Sequence, residues 1–203
     1  MPSDVLLLFA HPRPDLSACN VSLFEAAADV DVTRVDLYGE YPRHDINVDL
    51  EQQRLRDHHT IVLQFPVYWY STPPLMKEWI DLVLEYGFAY GVGGDALAGK
   101  RLVCAVTTGA QANAYSAEGI HGHSLRELLR PLERTAVLCQ MTYVPPFALF
   151  GAQRAAAEGV FDTHTANWRR LLHRLKDPTP LSDAVLAADT LNTDGQLMIE
   201  EGA

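Results

Sequence analysis

The stretch TIVLQFPVYWYSTPP, Thr60 to Pro74, decides how the whole chain is read. Its first half is a short continuous apolar run, the pattern of a strand buried on both faces. Its second half spends Tyr68, Trp69 and Tyr70 on a loop bounded by Pro66, Pro73 and Pro74, and a helical period begins at once afterwards. Strand, rigid aromatic loop and helix in that order make up half of a βαβ unit, which implies a parallel sheet.

The same alternation runs outward in both directions. Strands are predicted at Val5 to Ala10, Val32 to Tyr38, Ile61 to Phe65, Leu102 to Thr107 and Ala136 to Val144. Helices are predicted at Ser17 to Asp29, Asp49 to His58, Pro74 to Tyr86, Ser124 to Arg134 and Thr163 to Lys176. Within the third helix Leu75, Trp79, Leu82, Val83 and Tyr86 form one apolar stripe, and Trp168, Leu171, Leu172 and Leu175 form another in the last. Stripes at that spacing are core faces. The prolines at 178 and 180 end the domain near residue 176, leaving residues 177–203 as an acidic C-terminal tail read as solvated, in which Ser182 is placed to cap a short helix.

Composition narrows the class. With 203 residues and 48% hydrophobic content the chain suits one domain with a substantial core. A net charge of -10 without a basic patch argues against nucleic acid as a partner. Cys19, Cys104 and Cys139 have neither disulfide nor zinc spacing, and His121-Gly-His123 lacks matching Cys, Asp or Glu, so no metal is assigned. Without a long apolar span or the basic start of a secretory signal, the expectation is a soluble, cytoplasmic protein.

In an open α/β sheet ligands bind beyond the carboxyl ends of the strands, so the loops after the first, third and fourth strands carry the chemistry. The first, from His11 through Ser17, Ala18, Cys19 and Asn20, enters a helix start that is either a plain Ser17 N-cap or an anion site made of free N–H groups. It has neither GxGxxG nor GxxxxGK[ST]. The second, Pro66, Val67, Tyr68, Trp69 and Tyr70, offers either interface aromatics or a rigid wall for a flat heteroaromatic ring. The third, Thr107, Thr108, Gly109 and Ala110 leading to Tyr115 and His121, combines small residues with two side chains able to donate to a developing anion, or to pack structurally. Phosphate grip, aromatic wall and donor pair together suit a flavin.

Those segments, with FPVYWYSTPPLMKEWIDLVL, GFAYG, ALAGKRL and TTGAQANAYSAEGIHG, resemble the flavodoxin-like NAD(P)H:quinone oxidoreductase family, which includes DT-diaphorase and the ancillary flavoproteins of glutathione-gated potassium-efflux transporters. The resemblance covers about Val5 to Lys176. It implies a three-layer α/β sandwich with a five-stranded parallel sheet in order 2-1-3-4-5. It also implies FMN, with FAD as the alternative, NAD(P)H as cosubstrate, a quinone acceptor and a homodimer. Residue by residue, it assigns His11 and Ser17 to Asn20 to the phosphate-ribityl arm. Pro66 to Tyr70 and Thr107 to Ala110 are assigned to the ring. Tyr115 and His121 would stabilise charge on the reduced ring, with Phe88 and Tyr90 bordering, beside Trp69 and His121, the substrate pocket. Two positions depart from the family pattern: Tyr68 stands where glutamine is frequent, and Ala110 where a second glycine is common. The function implied is two-electron, ping-pong hydride transfer from NAD(P)H through the flavin to a quinone. The competing readings are a regulatory flavoprotein bound to a potassium-efflux transporter and an acidic electron carrier.

Overall fold

The computed structural model describes residues 4–193 and 195–199. Five parallel strands, β1 (Val5–Phe9), β2 (Thr33–Asp36), β3 (Thr60–Pro66), β4 (Arg101–Thr107) and β5 (Thr142–Leu149), form one sheet in the order β2-β1-β3-β4-β5. This is the predicted arrangement. Between them run α1 (Ala18–Ala26), the short α2 (Leu37–Glu40), α3 (Val48–Asp57), α4 (Pro74–Val83), α5 (Leu125–Leu128) and α6 (Arg130–Leu138). After β5 come α7 (Phe161–Leu175), α8 (Asp183–Ala187) and the small hairpin β6 (Asn192–Thr193) and β7 (Gln196–Leu197). Among the described residues no helix is long and apolar enough to cross a membrane.

The pleat sorts the core into two layers, because successive strand residues point to opposite faces. Leu6 and Leu8 join Leu55, Trp79 and Ala136 beneath α3, α4 and α6, while Val5 and Leu7 join Leu23, Trp168 and Leu172 beneath α1 and α7. Each fully buried large side chain contributes about 1.5–3 kcal/mol. One carboxylate is buried among them: Glu51 accepts from Tyr41 Oη at 2.5 Å, from Trp79 Nε1 at 2.9 Å and from Arg54. Three donors on one buried carboxylate fix how α3 meets α4.

Element boundaries differ from the sequence reading in ways that have local causes. The strand expected to begin at Ala136 begins at Thr142, because α6 continues to Leu138 and the chain turns at Gln140, whose φ is 59°. Ala136 belongs to the buried face of that helix, and a left-handed residue just beyond a helix is its usual stop. The strand then runs on through Pro145 and Pro146 to Leu149, which only a sheet edge tolerates. The second strand is shortened because Asp36 caps a helical turn by accepting from Tyr38 N at 3.1 Å.

Among its described residues, the segment after residue 177 is anchored to the domain at Leu191 and Ile199 and is not wholly solvated. Leu191 and Ile199 are buried in the second core layer, and Leu191 N donates to Pro146 O at 2.9 Å. Asn192 gives its carboxamide to the edge of β5, accepting from Ala148 N and donating to Ala148 O, both at 2.8 Å. Ser182 caps α8, as its position predicted. Of the acidic residues ascribed to this tail, Asp194, Glu200 and Glu201 lie outside the described residues.

Candidate functional site

The loops after β1, β3 and β4 meet above the carboxyl edge of the sheet, and backbone pairing locks them together. Val67 N donates to Thr107 O at 2.9 Å, Thr108 N to Leu149 O at 2.9 Å, and Ala152 N to Thr108 O at 2.9 Å. Beneath them Asn20 Nδ2 donates to Thr107 Oγ1 at 2.7 Å, and Gln64 Nε2 donates to Asn20 O at 2.7 Å. Asn20 is thus committed inward, as the tie between α1, β3 and β4. Cys19 is committed too, its thiol facing Ala152 O at 3.2 Å in a small third apolar cluster.

The first loop leaves more groups available. His11, 5% exposed, accepts from Arg13 N at 3.1 Å through Nδ1 and lies 3.4 Å through Nε2 from Tyr68 Oη. Burial pushes its pKa down, with nearby Asp15 acting the other way, which favours the neutral ring. Ser17 occupies the N-cap position of α1, but its hydroxyl makes no capping bond. The first N–H groups of any helix lack partners within it, so Ala18, Cys19 and Asn20 present backbone donors there.

The second loop is a tight hairpin. Tyr68 and Ser71 exchange two backbone hydrogen bonds of 3.0 Å, and the two residues between them, Trp69 and Tyr70, have φ of 47° and 66°. Turns of this kind select Asn-Gly, because both central residues are left-handed. Putting Trp and Tyr there costs roughly 1–2 kcal/mol per residue. Strain of this sort gathers at functional sites. Its result is to thrust Trp69 into solvent at 93% exposure and to carry Tyr70 over His121, ring centres 5.5 Å apart and nearly perpendicular.

The third loop supplies the rest. Tyr115 packs at 4.5 Å against His121 on one side and at 5.4 Å against Phe150 on the other. Burial raises the Tyr115 phenol pKa, so it stays a proton donor. His121 Nδ1 lies 3.4 Å from Tyr70 Oη, while its Nε2 is buried without a hydrogen-bond partner. Ala110 is not left-handed, so its methyl group brings no backbone penalty at a position where glycine is common. Gly109 has open space around its missing Cβ.

His11, Tyr68, Tyr70, Tyr115 and His121 therefore converge, with the Thr107–Ala110 turn beside them. Phe88 and Tyr90 are not brought to them. They follow α4 on its way back toward the amino ends of the strands, with Phe88 in the core beneath the Arg56 guanidinium, 4.8 Å from its ring centre, and Tyr90 edge-on to Tyr86. Sequence reading missed Phe150 and Thr72. Phe150 follows β5, where the same carboxyl-edge rule applies, whereas nothing in the sequence marks Thr72, whose buried hydroxyl has no partner.

Five parallel strands in this order, with the converging loops at the carboxyl edge, define the flavodoxin class of α/β protein. The Flavodoxin_2 family model, described as "Flavodoxin-like fold", matches residues 3–172, and the chain belongs to that family. It is 47% identical over 151 residues, 74% of this chain and 82% of that protein, to the glutathione-regulated potassium-efflux system ancillary protein KefG of Cronobacter sakazakii. Among solved structures it is similar to general stress protein 14 of Treponema denticola in complex with FMN, with TM-score 0.80 and 37% identity over 85% of this chain and 99% of that one. It is also similar to an NADPH-quinone reductase from P.pentosaceus, with TM-score 0.69 and 32% identity over 88% of this chain and 99% of that one.

Proposed function

We propose that this chain is an FMN-dependent NAD(P)H:quinone oxidoreductase. The observation that carries the reading is the donor pair Tyr115 and His121, gathered under Tyr70 with His121 Nε2 buried and unpartnered. A buried polar atom left in this state fits a site completed by a polar ligand edge. The FMN complex of the Treponema denticola protein and the reductase from P.pentosaceus support the same reading. FAD is the alternative cofactor.

The chemistry a bound FMN would supply is two-electron hydride transfer between NAD(P)H and the acceptor, in a ping-pong sequence. The chain's own residues bind, orient and stabilise. His11, Ser17 and the N–H groups opening α1 would hold the phosphate-ribityl arm, with the positive helix end favouring its charge. Val67 to Tyr70 and Thr107 to Ala110 would flank the ring. Tyr115 and His121 are the donors available to the negative charge that hydride delivery creates. A homodimer, which the family resemblance implies, would let Phe88 and Tyr90 of one copy border the pocket of the other, which accounts for their position away from it within one chain.

The test is the purified protein itself. A yellow protein that releases FMN on denaturation and oxidises NAD(P)H with a benzoquinone is expected, while a colourless protein that refuses both FMN and FAD would sink the reading. The KefG relationship favours a second reading, an ancillary protein docked on a potassium-efflux transporter. Bound flavin with negligible turnover, together with co-purification of a membrane protein, would favour it over the reductase.

A further inference from the structure

Beyond β5 lies an open cavity of about 650 Å³, away from the hairpin of Tyr68 to Ser71. Its floor is the end of β5 with Phe150, one wall is the start of α7, and the other is the returning segment Asp189 to Asn192 that sequence reading left in solvent. That volume lies within the range of small-molecule sites, about 300–1,000 Å³.

Most polar side chains around this cavity are satisfied within the chain. Asn167 donates to Gly195 O at 2.8 Å, Asn192 is spent on Ala148, and Thr190 Oγ1 donates to Asn192 O at 2.8 Å. His164 is the exception. It is 7% exposed, its ring is stacked 4.3 Å from Phe147, and its Nε2 is buried without a hydrogen-bond partner. A buried polar nitrogen with no partner is costly, and the ring that carries it lines the cavity.

The charge of the lining selects among ligands. Glu158 and Asp189 line the cavity, whereas the nearby arginines stand behind the lining, Arg154 on Glu158 and Arg170 on Asn167, so phosphates and carboxylates are disfavoured. Leu125, Leu149, Phe150 and Val160 offer apolar contact to a ring. We propose that this cavity is a second small-molecule site, for an uncharged or cationic aromatic compound whose hydroxyl or amino group partners His164. Tyr115 lines this cavity as well as packing on His121, but the proposal rests on His164 and the lining charge and not on the redox reading. Tyr115 is the party wall between the two, touching His121 on one side and Phe150 on the other.

The experiment titrates the full-length protein, with whatever cofactor it carries, with phenol, p-aminobenzamidine and benzoate while following histidine ring nitrogens by NMR. Saturable shifts of the His164 signals with phenol or p-aminobenzamidine are expected, with benzoate at least tenfold weaker. His164→Phe, which keeps a ring on Phe147, is expected to weaken binding at least tenfold. Thr163→Trp, which fills the cavity from an exposed lining position and leaves His164 in place, is expected to do the same, and carries the test should the first variant fail to fold. No saturable shift with either probe, equal binding of benzoate, or binding that survives Thr163→Trp would overturn the proposal.

Discussion

Two residues that share a chemical type, His121 and His164, are set apart by their surroundings. His121 stands with a tyrosine on each side, so its loss should be felt in chemistry. By analogy with oxyanion donors, each worth about 2.7–4 kcal/mol, and allowing for the wider spread of charge over a flavin, Tyr115→Phe and His121→Ala should each lower kcat by about 10- to 100-fold. Stopped-flow reduction by NAD(P)H reads this directly, and unchanged rates would return both side chains to a packing role. His164 should be felt in stability instead. Burial pulls its pKa down to about 4 from the ordinary histidine value of 6.5, so between those values the unfolded chain holds a proton that the folded chain lacks. Its stabilisation is whole above about pH 6.5 and is lost as pH falls toward 4, amounting to about 3 kcal/mol at most. Urea midpoints at pH 7 and pH 5 should differ less in His164→Phe than in the parent protein.

At the scale of single elements, the hairpin of Tyr68 to Ser71 has a backbone made for Asn-Gly and a sequence that refuses it. Replacing Trp69→Asn and Tyr70→Gly together should raise the unfolding free energy by about 1–2 kcal/mol while removing the contact with His121 and depressing turnover. A doubly substituted protein that is less stable would show that the turn carries no strain. Elements were legible to different degrees for physical reasons. The buried strands and the α4 and α7 stripes could be read because periodicity reports burial directly. The start of β5 could not, because the run Ala136 to Cys139 is as apolar at the end of a helix as in a strand, and only its place in the core beside Leu102 and Leu132 decides between them. The site was legible by position: the carboxyl-edge rule located His11, Tyr70, Tyr115 and His121, but said nothing of which side chains turn inward. Asn20 and Cys19 do turn inward, and Phe88 lies with the core, matters of tertiary contact that no local pattern carries.

On the scale of the whole molecule, the last segment is structural. Asn192 lends β5 an acceptor and a donor where a neighbouring strand would otherwise stand, and Leu191 plugs the core beneath α7. Asn192→Ala should cost about 1–3 kcal/mol by stranding Ala148 N and O, and Leu191→Ala about 2–5 kcal/mol through the cavity it leaves. Thermal melts of the two variants check both figures, and unaltered midpoints would mean that this segment merely rests on the domain. Covering the edge with a side-chain amide also shields a row of backbone groups that would otherwise recruit another chain.

A sheet edge sealed by a residue 44 positions further along the chain cannot be sealed until that residue has left the ribosome. The nascent polypeptide therefore emerges with its fifth strand bare, and the edge closes only once Asn192 has followed it out. Ribosome-stalled chains ending before residue 192 should be cut readily by protease near Pro146, and released full-length chains should resist.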